Sequence, residues 1–290
     1  MYCIHCGQEL PENAKFCSNC GKQIKPSNGQ DSNIENSFIS KEPVEEFMQG
    51  DNLNDNGSNL SIIENLDPAK GSTFGFGDED GNVVIAPKYY DVKDFQNGLA
   101  PVMINCLWGY INTTGEEVIP MQYEDAGQFF EGLAPVQKNG LYGYINTKGE
   151  IVIPCQFTTA QEFNNGVAVV SKNEKYGFID LVGRIIIPLE YEDAQNFNEG
   201  LAPVCQGEYW GYIDKSGKNV IPHKYDACIV FSEGLAGVMK NGKWGYVNEN
   251  NEEIIPFKYS FVFGYAGGVS PVDLDGEVLY IDKEGNYVTE

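Results

Sequence analysis

The sequence predicts an all-β chain built from one short unit repeated in tandem, preceded by a small cysteine-rich head and an acidic tether. Three observations carry this. A glycine-led motif and an aromatic-Gly-aromatic motif both recur at steps of 34 residues along residues 65–290. Within each step, short β-branched and aromatic runs alternate with glycine turns, and no sustained 3.6-residue period appears. At the N-terminus, two closely spaced cysteine pairs stand apart from that repeat. The chain has 290 residues with 42% hydrophobic content, enough for a substantial core.

The head spans residues 1–25. Cys3, Cys6, Cys17 and Cys20 form C-x2-C, a ten-residue gap, then C-x2-C. Two intervening residues let both thiolates of a pair turn onto one ion, and two pairs supply four sulfurs. Gly7 and Gly21 follow the second cysteine of each pair and permit the tight turn that aims amides at sulfur. Four thiolates fill a tetrahedral zinc ion, so the predicted Zn2+ is structural, and His5 between two ligands is a bystander. So short a piece has almost no core and depends on its metal to fold. Residues 2–24 resemble the zinc-ribbon module common at the N-termini of bacterial proteins.

Residues 26–64 read as a flexible acidic linker. Asparagine, aspartate, serine and glycine dominate, and no strand or helix period is visible. The apolar pairs Phe38-Ile39, Phe47-Met48 and Ile62-Ile63 read as incidental residues within it.

The array, residues 65–290, holds about seven units. Gly-Leu-Ala or a close variant starts at Gly98, Gly132, Gly166, Gly200, Gly234 and Gly268, with a weak earlier start at Asn65-Leu66-Asp67-Pro68. It predicts the first strand. The second strand carries the aromatic-Gly-aromatic element, as in Trp108-Gly109-Tyr110 and Trp244-Gly245-Tyr246. An Asx-x-x-Gly turn follows in six of seven copies, with glycine in the left-handed position of a bulged hairpin; in one copy Asn251 takes that place. The third strand is a branched apolar run that proline is expected to end, as in Val118-Ile119-Pro120. The remainder repeats at three-residue spacing, Pro120, Tyr123, Ala126, Phe129, Gly132, which fits a bulged fourth strand or an irregular buried connector. One hairpin cannot bury both faces, so the copies must stack. Aromatics such as Tyr123 with Phe129, and Tyr191 with Phe197, are expected to form the core between repeats.

The pattern F-x-x-G-L-A-P-V, W-G-Y-I-N/D-x-x-G, V-I-P-x-x-Y-x-x-A resembles the WG (KWG) repeat over about residues 65–290. That resemblance implies a bacterial, propeller-like, non-catalytic β-repeat array. A propeller-like ring is expected, with an open β-solenoid or superhelix as the alternative, since 34 residues is short for a four-stranded blade.

Charge narrows the partners. There are 42 acidic residues against 19 basic, a net of −23, and Arg184 is the one arginine. The repeats from residue 71 onward hold 31 acids and 14 bases. Such a surface disfavours nucleic acid and anionic membranes and favours a basic protein surface. No leader or membrane-length apolar run is seen, which predicts a cytoplasmic protein with reduced thiols. No catalytic constellation emerges. His223 stands where other copies have Met121, Cys155, Leu189 or Phe257; Glu124-Asp125 and Glu192-Asp193 recur as a polar loop face; Cys106, Cys155, Cys205 and Cys228 have no histidine partner. The leading expectation is a non-catalytic protein-interaction platform. The alternatives are a small-ligand or glycan receptor stacking on Trp108, Trp210 and Trp244, and a regulator contacting nucleic acid through Lys15, Lys22 and Lys25 of the head.

Overall fold

The computed structural model describes residues 59–67 and 71–288. The head, its four cysteines and the linker up to residue 58, with Phe38-Ile39 and Phe47-Met48, lie outside the described residues.

The described chain is all-β, seven antiparallel sheets in sequence order. The first sheet holds β1 (Ser61–Asp67), β2 (Gly71–Gly77) and β3 (Val83–Tyr89). The second holds β4 (Asp91–Val92), β5 (Leu99–Ile104), β6 (Leu107–Asn112) and β7 (Glu117–Tyr123), in spatial order. Five further sheets of the latter kind or its truncation repeat this order: 125–157, 159–191, 193–225 and 227–259 are four-stranded, and the last sheet, from Phe261, has three named strands.

The three-residue period now has a physical account. Its first part is a two-residue fourth strand, but that strand belongs to the next sheet: Asp125 pairs with Gln137 and Ala126 with Val136. The rest is a connector that carries Phe129 inward, fully buried like Ala126 of the short strand. Only Glu124 separates the third strand of one sheet from the short strand of the next. The chain thus stitches each unit to its successor.

Two expectations about strand limits are corrected. Proline does not end the third strand: β7 runs through Pro120 to Tyr123. The register shifts here, with Tyr110 opposite Ile119 and Trp108 opposite Tyr123, so Pro120 sits in a bulge on an edge strand and costs no ladder bond. The first unit also begins earlier. β1 reaches back through residues 61–64, read above as linker, so Ile62-Ile63 are strand residues. Its pairing sets Ile63 against Gly75, as Val102 is set against Gly109. The counterpart of Leu99 is therefore Leu60, not Leu66: Leu60 packs on the first inter-sheet core, whereas Leu66 is 68% exposed. The longer hairpin between β1 and β2 hid this from a fixed 34-residue step.

The core lies between sheets. One cluster joins Leu99, Trp108, Tyr110 and Tyr123 of the second sheet to Ala126, Phe129 and Val136 around the third. Five equivalent clusters join the other consecutive pairs, with Tyr191 and Phe197 together in one of them. The inter-repeat reading of these aromatics is borne out. The closest ring pairs are Phe76–Phe95 at 4.7 Å, Tyr144–Phe163 at 4.8 Å, and Tyr110–Phe129 and Phe178–Phe197 at 4.9 Å, tilted as aromatic quadrupoles prefer. Among the described residues, no strand pairing or core cluster joins the last sheet to the first. Each unit is blade-like, and the sheets form the open form of the predicted architecture.

Candidate functional site

The surface features that a partner or ligand can meet are the turns, the edge strands and a few side chains above them. Three families of turn recur. The Asx turns form as predicted: Oδ1 of Asn112 accepts from Thr114 N and Glu116 N, both at 3.0 Å, and Gly115 takes φ 82°. From the second sheet on, each turn glycine rests on an isoleucine of the preceding sheet; a Cβ on Gly115 would lie 3.3 Å from Ile85. Asn251, at φ 62°, replaces glycine in one copy and receives the Tyr225 hydroxyl on its Oδ1 at 2.7 Å.

A second family ends the connector, just before each first long strand, with two residues at positive φ. Here Glu131, Glu199 and Glu233 are left-handed at φ 50–51°. Their carboxylates clasp the next repeat: Glu131 accepts from Gly166 N (2.8 Å), Glu199 from Glu233 N (2.6 Å) and Gly234 N (2.9 Å), Glu233 from Gly268 N (2.9 Å). Lys283 lies 3.1 Å from Glu233, and with the turn amides holds its carboxyl below the usual range. The recurrence of Glu-Gly at this place was visible in the sequence, but its left-handed backbone and cross-repeat reach were not.

The third family joins the first and second long strands through a left-handed tip, two residues as in Asn139-Gly140, or Gly207 alone in the fifth sheet. Glu124 caps it, accepting from Asn139 N at 2.9 Å and Gly140 N at 2.7 Å. Glu192 accepts from Gly207 N at 3.0 Å and from Lys175 Nζ at 2.7 Å, and the lysine first, then the amide, lower its pKa. Asp125 accepts from Ala126 N and from the Tyr142 hydroxyl at 2.7 Å; burial, then this bond, push the phenol up to about 12. The paired acids thus hold turns and strand starts.

The remaining candidates are dispersed. His223 is half-buried, stacks on Tyr191 at 6.4 Å between centroids, and has its pKa lowered by burial; Nε2 is buried without a hydrogen-bond partner among the described residues. Cys205 and Cys228 are buried and Cys155 is half-buried, with all three thiols raised by burial and so protonated near neutrality. Cys106 is exposed at a turn tip with φ 62°. Trp108 is 6% and Trp244 7% exposed, while Trp210 is half-buried. Lys93 covers Trp108, its Nζ 5.2 Å from the ring, while donating to Ala126 O at 2.7 Å. Cys3, Cys6, Cys17 and Cys20 lie outside the described residues, and among the described residues no group of three or more metal-ligating side chains gathers. No helix among the described residues is long and apolar enough to cross a membrane.

Comparison with known proteins places this geometry. A model of the WG containing repeat matches residues 74–105, 108–142, 142–176, 176–210, 210–244 and 244–277. A zinc-ribbon domain model matches residues 2–24. No curated protein matches the chain. Among solved structures, one titled "Crystal structure of the eukaryotic initiation factor" is similar at TM-score 0.54 and 11% identity, covering 78% of this chain and 72% of that one. Kluyveromyces lactis Hsv2 is similar at TM-score 0.45 and 8% identity over 79% and 88% of the two chains. Dihydro-heme d1 dehydrogenase NirN follows at TM-score 0.46 and 13% identity over 78% and 61%. At such identities the first likeness shows the fold alone, and the other two carry no argument. Six matched copies over the greater part of the chain show that it belongs to the WG containing repeat family, with a zinc-ribbon domain at residues 2–24.

Proposed function

We propose that the protein is a non-catalytic, cytoplasmic interaction platform: an acidic β-repeat array tethered to a zinc-bound ribbon, recognising a protein partner with a basic surface. The observation that carries this reading is the use of the acids. Glu124, Glu131, Glu192, Glu199 and Glu233 stand exposed or near-exposed at turns, fixed by backbone amides rather than gathered into a reaction centre. Fixed carboxylates at intervals along an array favour a complementary cationic surface and speed its encounter. The same charge opposes nucleic acid at the array. The glycan alternative is weakened, because Trp108 and Trp244 are buried and offer no stacking face.

In the ribbon, the donor set fits the metal: Cys3, Cys6, Cys17 and Cys20 would hold zinc as four thiolates, leaving no place for a reactive water. Zinc there supplies folding energy. Metal analysis of the purified full chain is expected to give one zinc per chain, lost in Cys3→Ser.

The partner reading is tested by affinity capture from cells with the full chain and with a chain lacking residues 1–25, each washed at low and high salt. Retention by both, released by salt, is the expected result. Retention of nothing reproducible by either chain would overturn the reading. Capture only with the ribbon present, together with salt-sensitive gel-shift binding, would move the function to nucleic acid at Lys15, Lys22 and Lys25.

A further inference from the structure

The tips between first and second long strands form a comparison series within one chain. In the third, fifth and sixth sheets the residue before the short strand is an acid: Glu124, Glu192 and Asp226. Their backbone amides donate to Gln137, Cys205 and Met239 carbonyls at 2.9, 3.0 and 2.9 Å. Each carboxylate turns back onto the left-handed hairpin tip, taking Asn139 N and Gly140 N, Gly207 N, and Gly242 N at 3.4 Å. Successive amides in such turns form a concavity for an anion.

In the fourth sheet the backbone is the same but the residue is not. Thr158 N donates to Ser171 O at 2.7 Å, placing it as Glu124 is placed. Its tip, Asn173-Glu174, has the same left-handed form, φ 54° and 62°. Among the described residues no carboxylate accepts from these two amides. A shallow cleft of about 440 Å³ lies at this tip, lined by Lys172, Asn173, Lys175, Ile185, Pro188 and Leu189. The second sheet repeats the coincidence without the cations: Tyr90 takes the capping place, and a cleft of about 360 Å³ lies at Asn105 and Cys106.

We infer that the Asn173-Glu174 tip is a binding site for a carboxylate carrying an adjacent aliphatic group, which replaces the internal carboxylate of the sister repeats. The turn amides take the oxygens, as they do from Glu124. Lys172 supplies charge; Lys175 is shared with Glu192. Ile185, 59% exposed, with Pro188 and Leu189, takes the aliphatic group. The acidity of the wider array is screened beyond about 10 Å at ordinary salt. The inference goes beyond the platform reading and does not depend on it, because a small probe tests it directly.

The test is amide NMR on the full chain titrated with N-acetyl-leucine, against N-acetyl-leucinamide as the uncharged control. Saturable shifts of Asn173 and Glu174 amides are expected with the acid, about ten-fold tighter or more than with the amide. Thr158→Glu, which restores the internal cap, should abolish them, and Lys172→Gln should weaken them. Equal response to acid and amide, or no response at these two amides, overturns the site. Those outcomes need no variant, so they stand even if Thr158→Glu fails to fold. Unchanged binding in a folded Thr158→Glu would overturn it equally.

Discussion

Gly109 explains the middle letter of the aromatic-Gly-aromatic element. A Cβ there would lie 2.5 Å from Ile119 O and 2.8 Å from Met121 N, inside the backbone of the neighbouring strand. The bulge at Pro120 pushes that backbone toward the second strand, and glycine makes the room. Gly109→Ala is therefore expected to destabilise the array by roughly 1–3 kcal/mol, read as a lower urea midpoint. A midpoint unchanged from the parent chain would refute the close-approach account. The flanking aromatic supplies a second test. Tyr110, Tyr144, Tyr212 and Tyr246 donate their hydroxyls to the carbonyls of Gly127, Gln161, Ile229 and Phe263, at 2.7–2.9 Å. Phe178 occupies the same place without a hydroxyl, and its ring pairs with Phe197 as Tyr110 pairs with Phe129. Phe178→Tyr should find the Gln195 carbonyl and gain about 0.5–1.5 kcal/mol. A loss of stability would mean that this carbonyl is not positioned like its counterparts.

Between elements, the carboxylate clasps make cohesion depend on pH. The folded pKa of Glu233 lies below its ordinary value of 4.5, through Lys283 and the turn amides; that of Glu192 is likewise lowered through Lys175 and Gly207. A lowered folded pKa means the charged form is favoured by folding. The contribution is complete above the unfolded value and is lost as pH falls through the folded one. Urea midpoints are expected to hold from neutrality to about pH 5 and to drop below 4.5. Glu233→Gln should flatten part of that drop, and an identical acid limb in the variant would remove the clasp from the account. The elements themselves were legible unevenly. The 34-residue step, the Asx turns and the glycine or Asn251 positions follow from local chemistry, so residues close in sequence revealed them. At Asp125-Ala126 the sequence left a fourth strand and a connector both open, because two residues carry no period, and the pairing with the next unit was not legible. The start at Leu60 was hidden by the longer first hairpin. The capping of Asn139-Gly140 by Glu124 joins residues 15 apart across a strand connection, which no spacing rule suggests.

At the scale of the whole array, closure is a matter of inter-sheet angle, and no residue pattern encodes that plainly; this is why a ring and an open array could both be argued from the repeat. With sheets in contact with their sequence neighbours and no cluster joining last to first among the described residues, stability should behave as a sum over units and interfaces. Ending the chain at Tyr259 is a direct test. It removes the last sheet and with it Val262, Tyr265, Val272 and Ile281 from the core they share with Leu235, Trp244, Tyr246 and Ile255. In an open array the remaining sheets keep their own interfaces. The shortened chain should stay folded, with an m-value lower by roughly one seventh, since m follows the surface exposed on unfolding. Trp244, now 7% exposed, would lie on the new end face, and its fluorescence should shift to the red and become quenchable. In a closed ring every sheet has two neighbours, so the same cut would open two interfaces and collapse the β-signal as a whole. A cooperative, slightly weaker transition with a newly quenchable tryptophan therefore separates the two architectures in one experiment.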